Sequence, residues 1–227
     1  MLRLTVFFLI SVCTLIVICS VGPQSAQSFA TITRVTNTPE HALNLNPTLS
    51  DDGRTIIFES SADLGNTGQS ASFHLLRNEL SSFAEIGGTR AVCPAVSSDG
   101  RTIAFASRED LVGQNADRNS EIFLFDGVEL KQLTQTKLEG NFQPSITNDG
   151  RKIAYASNGK IFLYDRLDGR FTELANGASP KISGDGSFVY YTDNEALLRI
   201  DTRTLERRVV AADVVGLEMV EGRAVSN

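Results

Sequence analysis

The sequence repeats one fourteen-residue pattern four times. Each copy has a Pro six residues before a Gly, an Asp directly before that Gly, a Ser or Thr two residues before the Asp, and an aromatic residue five after the Gly. The copies are PTLSDDGRTIIFES (47–60), PAVSSDGRTIAFAS (94–107), PSITNDGRKIAYAS (144–157) and PKISGDGSFVYYTD (180–193). Self-similarity of this kind predicts a fold assembled from repeated supersecondary units, and it constrains the architecture more than any other feature of the chain.

Each repeat contains an Asp-Gly pair between two apolar runs. Gly adopts positive φ without steric cost and Asp tolerates it, so the pair predicts a hairpin turn. The Pro that opens each copy is predicted to be the first residue of a strand, where a missing N–H does no harm. Because the carboxylates recur in every copy, we interpret them as structural turn residues and not as a catalytic pair. The turns are Asp52-Gly53, Asp99-Gly100, Asp149-Gly150 and Asp185-Gly186.

The residues after each turn form a strand that is apolar on both faces. In the first copy Ile56 and Phe58 share one face by the period of two, and Ile57 lies on the other. A strand of this kind is covered on both sides, as it is where sheets stack face to face. Four strands per unit, with polarity rising toward the last, predict the blade of a β-propeller, an all-β fold. The third strands are predicted at 72–77, 121–126, 160–165 and 196–201, and the fourth at 83–86, 131–134, 171–174 and 207–210.

The repeat resembles the TolB-type, WD-like β-propeller repeat. The hallmark of that family is P-x-(apolar)-S-x-D-G-K/R-x-I-A-F-x-S, followed by a strand of the D-I-Y-V-x-D type. The K/R position is matched by Arg54, Arg101 and Arg151 but not by Ser187, and the Asp that closes the third strand is matched by Asp126, Asp165 and Asp201 but not by Arg77. The resemblance covers residues 31–210 and implies a β-propeller. The motif recurs in envelope proteins, peptidase-associated domains and lyases, and TolB itself implies a periplasmic protein that docks partners in a cell-envelope complex.

The repeat predicts four complete blades and part of a fifth. Residues 34–38 (RVTNT) resemble the outer strand and connector at 132–136 (QLTQT), which predicts an N-terminal outer strand that closes the ring by joining the last blade. Because unpaired strand edges invite association, the alternatives are a closed ring, an open ring and a ring completed by self-association. The blades are predicted near 45–86, 92–134, 142–174 and 178–210, with the partial fifth at 214–227.

The first thirty residues lack the repeat and have the order of an export signal. Arg3 is the only charged residue in this segment, and an apolar stretch over 4–21 precedes a small-residue cleavage site, Ser28-Phe29-Ala30 or Ala26-Gln27-Ser28. The apolar stretch is long enough to span a bilayer, so residues 1–30 are either a signal peptide or an N-terminal membrane anchor that tethers the protein. Both alternatives place the rest of the chain in the periplasm or the extracellular space.

Composition narrows the function of the exported part, residues 31–227. The formal net charge of the full chain, −6, disfavours a nucleic-acid binder, because phosphate binding needs clustered Lys and Arg. Cys93 is the only cysteine in this part, so we expect a small buried hydrophobe there and no internal disulfide. The two His are His41, in a connector, and His74, which we interpret as a strand residue with a satisfied hydrogen bond. Without a G-x-S-x-G elbow or flanking zinc ligands they give catalysis little support, and no cofactor is predicted.

Blades one and two carry insertions between their second and third strands, within 61–72 and 108–120. Insertions on one face of a repeat protein often build its binding face, and the alternative is that they are tolerated surface loops. We predict that deletion of 108–120 abolishes partner capture and leaves the unfolding midpoint nearly unchanged. The candidate partner-binding residues are Arg108, Glu109, Asp110, Asp117 and Arg118.

The second insertion also has polar residues at every second position. They are Asn115, Asp117, Asn119 and Glu121, and they resemble the early part of a calcium loop. Ser120 stands where such a loop needs Gly, so we favour a solvated polar loop and predict no metal site.

Two function classes remain. The favoured one is a non-catalytic, exported propeller that binds protein partners in the cell envelope as a scaffold. The alternative is an enzyme, or an enzyme-associated propeller, that acts on a glycan or peptide through a site at the channel mouth. The shortage of His and the missing elbow favour the first class, whereas a ring of convergent Asp, Arg and His at the channel mouth would favour the second.

Overall fold

The computed structural model describes residues 32–68, 71–79, 82–137 and 139–213, and only the backbone of Val92. All regular secondary structure in these residues is β-strand. None of their segments forms a helix that could cross a membrane. The predicted export segment (1–30) and partial fifth blade (214–227) lie outside the described residues.

The strands form four antiparallel sheets of four, each made from consecutive strands paired in chain order. Blade one contains β1 (Asn44–Leu49), β2 (Thr55–Ser60), β3 (His74–Glu79) and β4 (Ser82–Gly87). Blade two contains β5 (Val92–Val96), β6 (Ile103–Ser107), β7 (Glu121–Phe125) and β8 (Leu130–Gln132). Blade three contains β9 (Asn141–Ile146), β10 (Lys152–Ser157), β11 (Lys160–Asp165) and β12 (Arg170–Asn176). Blade four contains β13 (Ala178–Ile182), β14 (Phe188–Asp193), β15 (Ala196–Asp201) and β16 (Arg207–Ala211).

The four sheets are the blades of an all-β propeller, which confirms the fold predicted from the repeat. The first strands of neighbouring blades lie side by side, β1 with β5, β5 with β9 and β9 with β13. Within the described ranges the blades do not close into a ring. The prediction of an outer strand at 34–38 is wrong, because the described residues before Asn44 contain no strand. A strand needs a neighbour for its backbone hydrogen bonds, and the partial blade predicted to supply one lies outside the described residues.

The Pro residues of the repeat lie inside their strands, so the prediction that each is the first residue of a strand is wrong. Pro47 is the fourth residue of β1, and the pairing register of β1 with β2 shifts between Leu45 and Thr48. A bulge of this kind leaves a residue unpaired and tolerates the missing N–H of Pro. The residue before each Pro has positive φ, between 50° and 53°, and these residues are Asn46, Cys93, Gln143 and Ser179.

Each of the four Asp-Gly turns contains the same pattern of hydrogen bonds, which explains why a hydroxyl recurs two residues before each Asp. In blade one the Ser50 hydroxyl donates to Asp52 Oδ1 (2.7 Å) and accepts from the backbone N–H of Thr55 (3.0 Å). Asp52 Oδ1 also accepts from the backbone N–H of Arg54 (3.0 Å), and Gly53 has a φ of 71°. The same bonds recur around Asp99, Asp149 and Asp185.

The core lies between the blades, as strands that are apolar on both faces predict. Ile57 and Leu75 of blade one pack with Phe105 and Phe123 of blade two, and the two Phe rings stack with their centroids 5.7 Å apart. Similar clusters join blade two to blade three and blade three to blade four. Cys93 is buried, as expected.

Candidate functional site

The long loops and the blade connectors lie at the same end of the propeller. In an antiparallel meander the turn between the first two strands and the loop between the second and third strands fall at opposite ends. The Asp-Gly turns therefore mark one end, the turn face. The other end, which we call the loop face, carries the loops between second and third strands and the connectors between blades.

A pocket of about 820 Å³ opens on the loop face where the two long loops meet. Both insertions contribute to it, as their shared position in adjacent blades predicts. Its rim is charged at Arg90, Arg108 and Glu109, and two aromatic rings line it, Phe73 and the half-exposed Phe142. The remaining lining residues are Ala71, Ser72, Gly88, Thr89, Ser107 and Ser120.

Polar contacts to the buried carboxylate of Glu59 fix the blade-one side of this loop-face pocket. The guanidinium of Arg90 lies 5.0 Å from the centre of the Phe73 ring, a cation–π distance. Arg90 Nε also donates to Glu59 Oε2 (3.3 Å), and Glu59 is fully buried at the end of β2. The other carboxylate oxygen of Glu59 accepts from Asn46 Nδ2 (2.7 Å). Because each of these polar groups is paired, the pocket presents a preformed surface.

The structure separates the five predicted partner-binding residues. Arg108 and Glu109 are exposed and line the loop-face pocket, and Arg118 pairs with Glu109 at its edge. Asp110 instead accepts the backbone N–H of Asn115 (2.8 Å) and organises the loop from within. Asp117 is exposed beside a second, smaller pocket of about 490 Å³. Of the five, Arg108 and Glu109 are therefore the two placed to contact a molecule in the larger pocket.

The insertion at 108–120 is part of the folded core. Leu111 and Val112 pack against the cluster between blades one and two, and Asn115 Nδ2 donates to the backbone carbonyls of Arg108 (3.2 Å) and Asn119 (3.0 Å). Deleting this segment would remove buried apolar contacts, so the packing argues against an unchanged unfolding midpoint, and we expect the deletion to lower it.

Two of the calcium-candidate residues are buried, so the interpretation of 115–121 as a solvated loop is wrong for them. Glu121 accepts from the Thr136 backbone N–H (2.6 Å) and from Asn141 Nδ2 (2.8 Å), which ties β7 to the connector before β9. Asn115 is also buried, Asn119 is half-buried and Asp117 is exposed. An ion at this loop would compete with the hydrogen bonds that Glu121 already accepts.

A second polar cluster lies in blade one and joins three elements. His74 begins β3 and Glu85 belongs to β4, while Asp63 lies in the loop between β2 and β3. His74 Nδ1 lies 3.0 Å from Glu85 Oε2, which confirms that His74 is a strand residue with a hydrogen-bond partner. The potential ligand atoms of the three side chains all lie within 4.8 Å of one another.

Sequence reasoning missed this acid–histidine cluster. Its members are eleven residues apart in sequence, a spacing that matches no metal motif. The one available signal is the insertion itself, since Asp63 lies inside it. The backbone N–H groups of Thr67 and Gly68 donate to the Asp63 carboxylate (3.0 and 2.8 Å). These bonds, led by that from Thr67, lower the pKa of Asp63 below its ordinary value.

Comparisons with known proteins support the fold. No family model matches the chain, and no curated protein matches it in sequence. Among solved structures it is similar to TolB from Acinetobacter baumannii (18% identity, TM-score 0.51, covering 75% of this chain and 44% of that one). It is also similar to an oligogalacturonate lyase in complex with manganese (15% identity, TM-score 0.59, covering 83% and 58%). A third similar structure is the β-propeller domain of the Trilobed protease from Pyrococcus furiosus, described as an open velcro topology (15% identity, TM-score 0.51, covering 75% and 58%).

These matches define the chain first as a β-propeller and more narrowly as one with the TolB-type repeat fold. The chain spans about half the length of the three structures. At these identities the likeness concerns the fold, and the neighbours include both TolB and an enzyme.

Proposed function

We propose that this chain is an exported, non-catalytic propeller that binds a protein partner in the cell envelope through its loop face. The observation that carries the proposal is the loop-face pocket, where the insertions of blades one and two meet. The pocket combines exposed charges at Arg108 and Glu109 with the apolar surface of Phe73 and Phe142. Aromatic anchors with a charged rim are typical of protein-binding surfaces.

The proposed export follows from the sequence of residues 1–30, and the TolB-type fold is in keeping with a periplasmic location. The alternative function is an enzyme acting on a glycan or peptide, and it has one supporting observation, the similarity of the fold to an oligogalacturonate lyase. It would require catalytic groups that converge. The two His of the chain lie in different environments, since His41 is exposed before β1 and His74 is buried against Glu85.

The experiment that tests the proposal is capture of partners from a cell-envelope extract by the immobilised protein and two charge-reversal variants. Arg108→Glu reverses a charge on the rim of the loop-face pocket. Arg101→Glu is the matched control, because Arg101 is also exposed but lies at the opposite end of β6, on the turn face. We expect Arg108→Glu to reduce capture at least about tenfold, the effect of losing one strong interface contact, and Arg101→Glu to leave it unchanged.

The control also decides between the two faces. Equal loss of capture in both variants would indicate a nonspecific charge effect, and loss confined to Arg101→Glu would place the interface on the turn face. Either result would refute the proposal. Turnover of oligogalacturonate by the wild-type protein, abolished in neither variant, would favour the enzymatic alternative.

A further inference from the structure

We propose that the acid–histidine cluster of blade one, Asp63, His74 and Glu85, binds a divalent transition-metal ion such as Zn²⁺. One imidazole nitrogen and two carboxylates form a donor set that Zn²⁺ and Mn²⁺ accept. The inference is independent of the proposed function, because none of the three side chains lines the loop-face pocket.

The distances within the cluster fit one ion. Ligand atoms bound to a single Zn²⁺ at about 2 Å lie about 4 Å apart or less. The three potential ligand atoms here already lie within 4.8 Å of one another, so small side-chain shifts bring them to bonding distance. Three protein ligands leave the remaining coordination positions to water.

Glu85 supplies a second, independent observation. Its side chain is 5% exposed, and its Oε1 is buried without a hydrogen-bond partner among the described residues. Its other oxygen, Oε2, contacts His74 Nδ1 (3.0 Å) and accepts from Thr67 Oγ1 (2.7 Å). A buried carboxylate oxygen without a partner is costly, and a cation beside it removes that cost.

The surroundings hold the three side chains in place for binding. The His74 side chain is 3% exposed, and its position at the start of β3 fixes the ring in the sheet. Asp63 is oriented by the backbone N–H groups of Thr67 and Gly68, an arrangement that leaves lone pairs on both carboxylate oxygens. Hydrogen bonds that orient ligands in this way are a regular feature of metal sites.

A metal here would fasten the long loop of blade one to two strands of its sheet. Asp63 lies in that loop, whereas His74 and Glu85 belong to β3 and β4. Cys93 is the only cysteine in residues 31–227, so a metal would serve where a disulfide cannot. Because Phe73 of the loop-face pocket directly precedes His74, the ion would also stabilise one wall of the pocket.

The test is a titration of the chelator-treated full chain with ZnCl₂, in which isothermal titration calorimetry measures the binding. MnCl₂ is titrated in parallel. We expect one Zn²⁺ per chain, weaker binding of Mn²⁺, and a rise in the thermal unfolding midpoint on adding Zn²⁺. Glu85→Gln and Asp63→Asn keep the side-chain shapes and should each weaken Zn²⁺ binding at least about tenfold. The matched control is His41→Ala, because His41 is the only other His and is exposed.

The two kinds of variant make the result decisive. If the cluster is only a hydrogen-bonded pair, the wild type will bind Zn²⁺ no better than Glu85→Gln, and the proposal is wrong. It is equally wrong if His41→Ala abolishes binding, since the ion is then held at the exposed histidine. Glu85→Gln is preferred to replacement of the buried His74, because it removes a ligand charge at nearly constant volume.

Discussion

Replacing Gly100 by Ala should destabilise the propeller more than the same replacement at Gly53, although both glycines occupy the same position of the repeat. The two residues have nearly equal φ, 72° and 71°. Ala in the left-handed region costs about 1–2 kcal/mol, and this cost applies to both variants. The difference lies in the neighbours. A methyl group built at Gly100 would lie 2.5 Å from Cβ of Thr55 in blade one, whereas nothing lies within 4 Å of one built at Gly53.

The close approach of the Thr55 side chain to position 100 determines how much more Gly100→Ala lowers the free energy of unfolding. Forcing an extra methyl group into a packed contact costs about 1–3 kcal/mol. We therefore expect Gly100→Ala to lower the free energy of unfolding by about 2–5 kcal/mol and Gly53→Ala by about 1–2 kcal/mol. Gly150→Ala should resemble Gly100→Ala, because its methyl group would lie 2.6 Å from Thr102 Oγ1 of the preceding blade.

The measurement is urea unfolding followed by far-UV circular dichroism, with all three variants compared at one pH and temperature. Unfolding through an intermediate would appear as a changed slope with denaturant, so the slopes must be compared before the free energies. Equal destabilisation at Gly53 and Gly100 would refute the reasoning. It would mean that the strained φ accounts for the whole effect and that the turns of adjacent blades are not tightly packed.

Three further predictions concern acid stability, a buried carboxylate and export. Hydrogen bonds from the Ser183 hydroxyl, then from the Ser187 backbone and side chain, lower the pKa of Asp185 from 3.8 to about 2. Because the pKa of Asp185 is lower in the folded state, its ionised carboxylate stabilises the fold above pH 3.8, and this stability is lost as the pH falls toward 2. Asp185→Asn should therefore flatten the fall in the unfolding midpoint measured between pH 4 and 2. An unchanged profile would contradict this. Glu121→Ala leaves the hydrogen-bond donors of Thr136 and Asn141 without their acceptor and should lower the free energy of unfolding in urea by more than about 2 kcal/mol. The exposed control Asp117→Ala should lower it by about 0.5 kcal/mol or less. Equal effects of the two variants would contradict the prediction. N-terminal sequencing of the protein from a Gram-negative host should begin at Thr31 or Phe29 if the signal is cleaved, and an intact Met1 in the membrane fraction would establish the anchor instead.

The blades were predictable because each depends on local sequence signals, and these signals occur in all four copies of the repeat. An Asp-Gly pair, a hydroxyl two residues earlier and an aromatic residue five residues later determine one hairpin, and the structure contains that hairpin in every blade. The Pro residues were misplaced for a local reason too. The sequence shows that Pro needs a position without a ladder hydrogen bond, but a strand start and a bulge both satisfy that need.

The candidate sites were harder to predict because they depend on contacts between distant segments. Arg108 could be assigned to a surface loop, but its place beside Phe73 depends on how blades one and two are set side by side. The acid–histidine cluster has the same origin, since Asp63, His74 and Glu85 meet only when β3 and β4 pair and the loop folds back on them. Glu121 has a polar sequence context and yet is fully buried, because its hydrogen-bond donors come from Thr136 in the connector and Asn141 at the start of β9.

The two faces of the propeller differ in how far they depart from the repeat. On the turn face every blade has the same Asp-Gly network, so that face offers four similar surfaces. On the loop face blades three and four use turns at 158–159 and 194–195, whereas blades one and two have long loops whose bases are fixed by buried carboxylates, Glu85 and Glu121. The hydrogen bonds that these two carboxylates accept from loop and connector residues favour one loop conformation over many. A surface ordered in this way loses little entropy on binding, which is why the meeting point of the two loops is the part of the propeller best suited to recognise a partner.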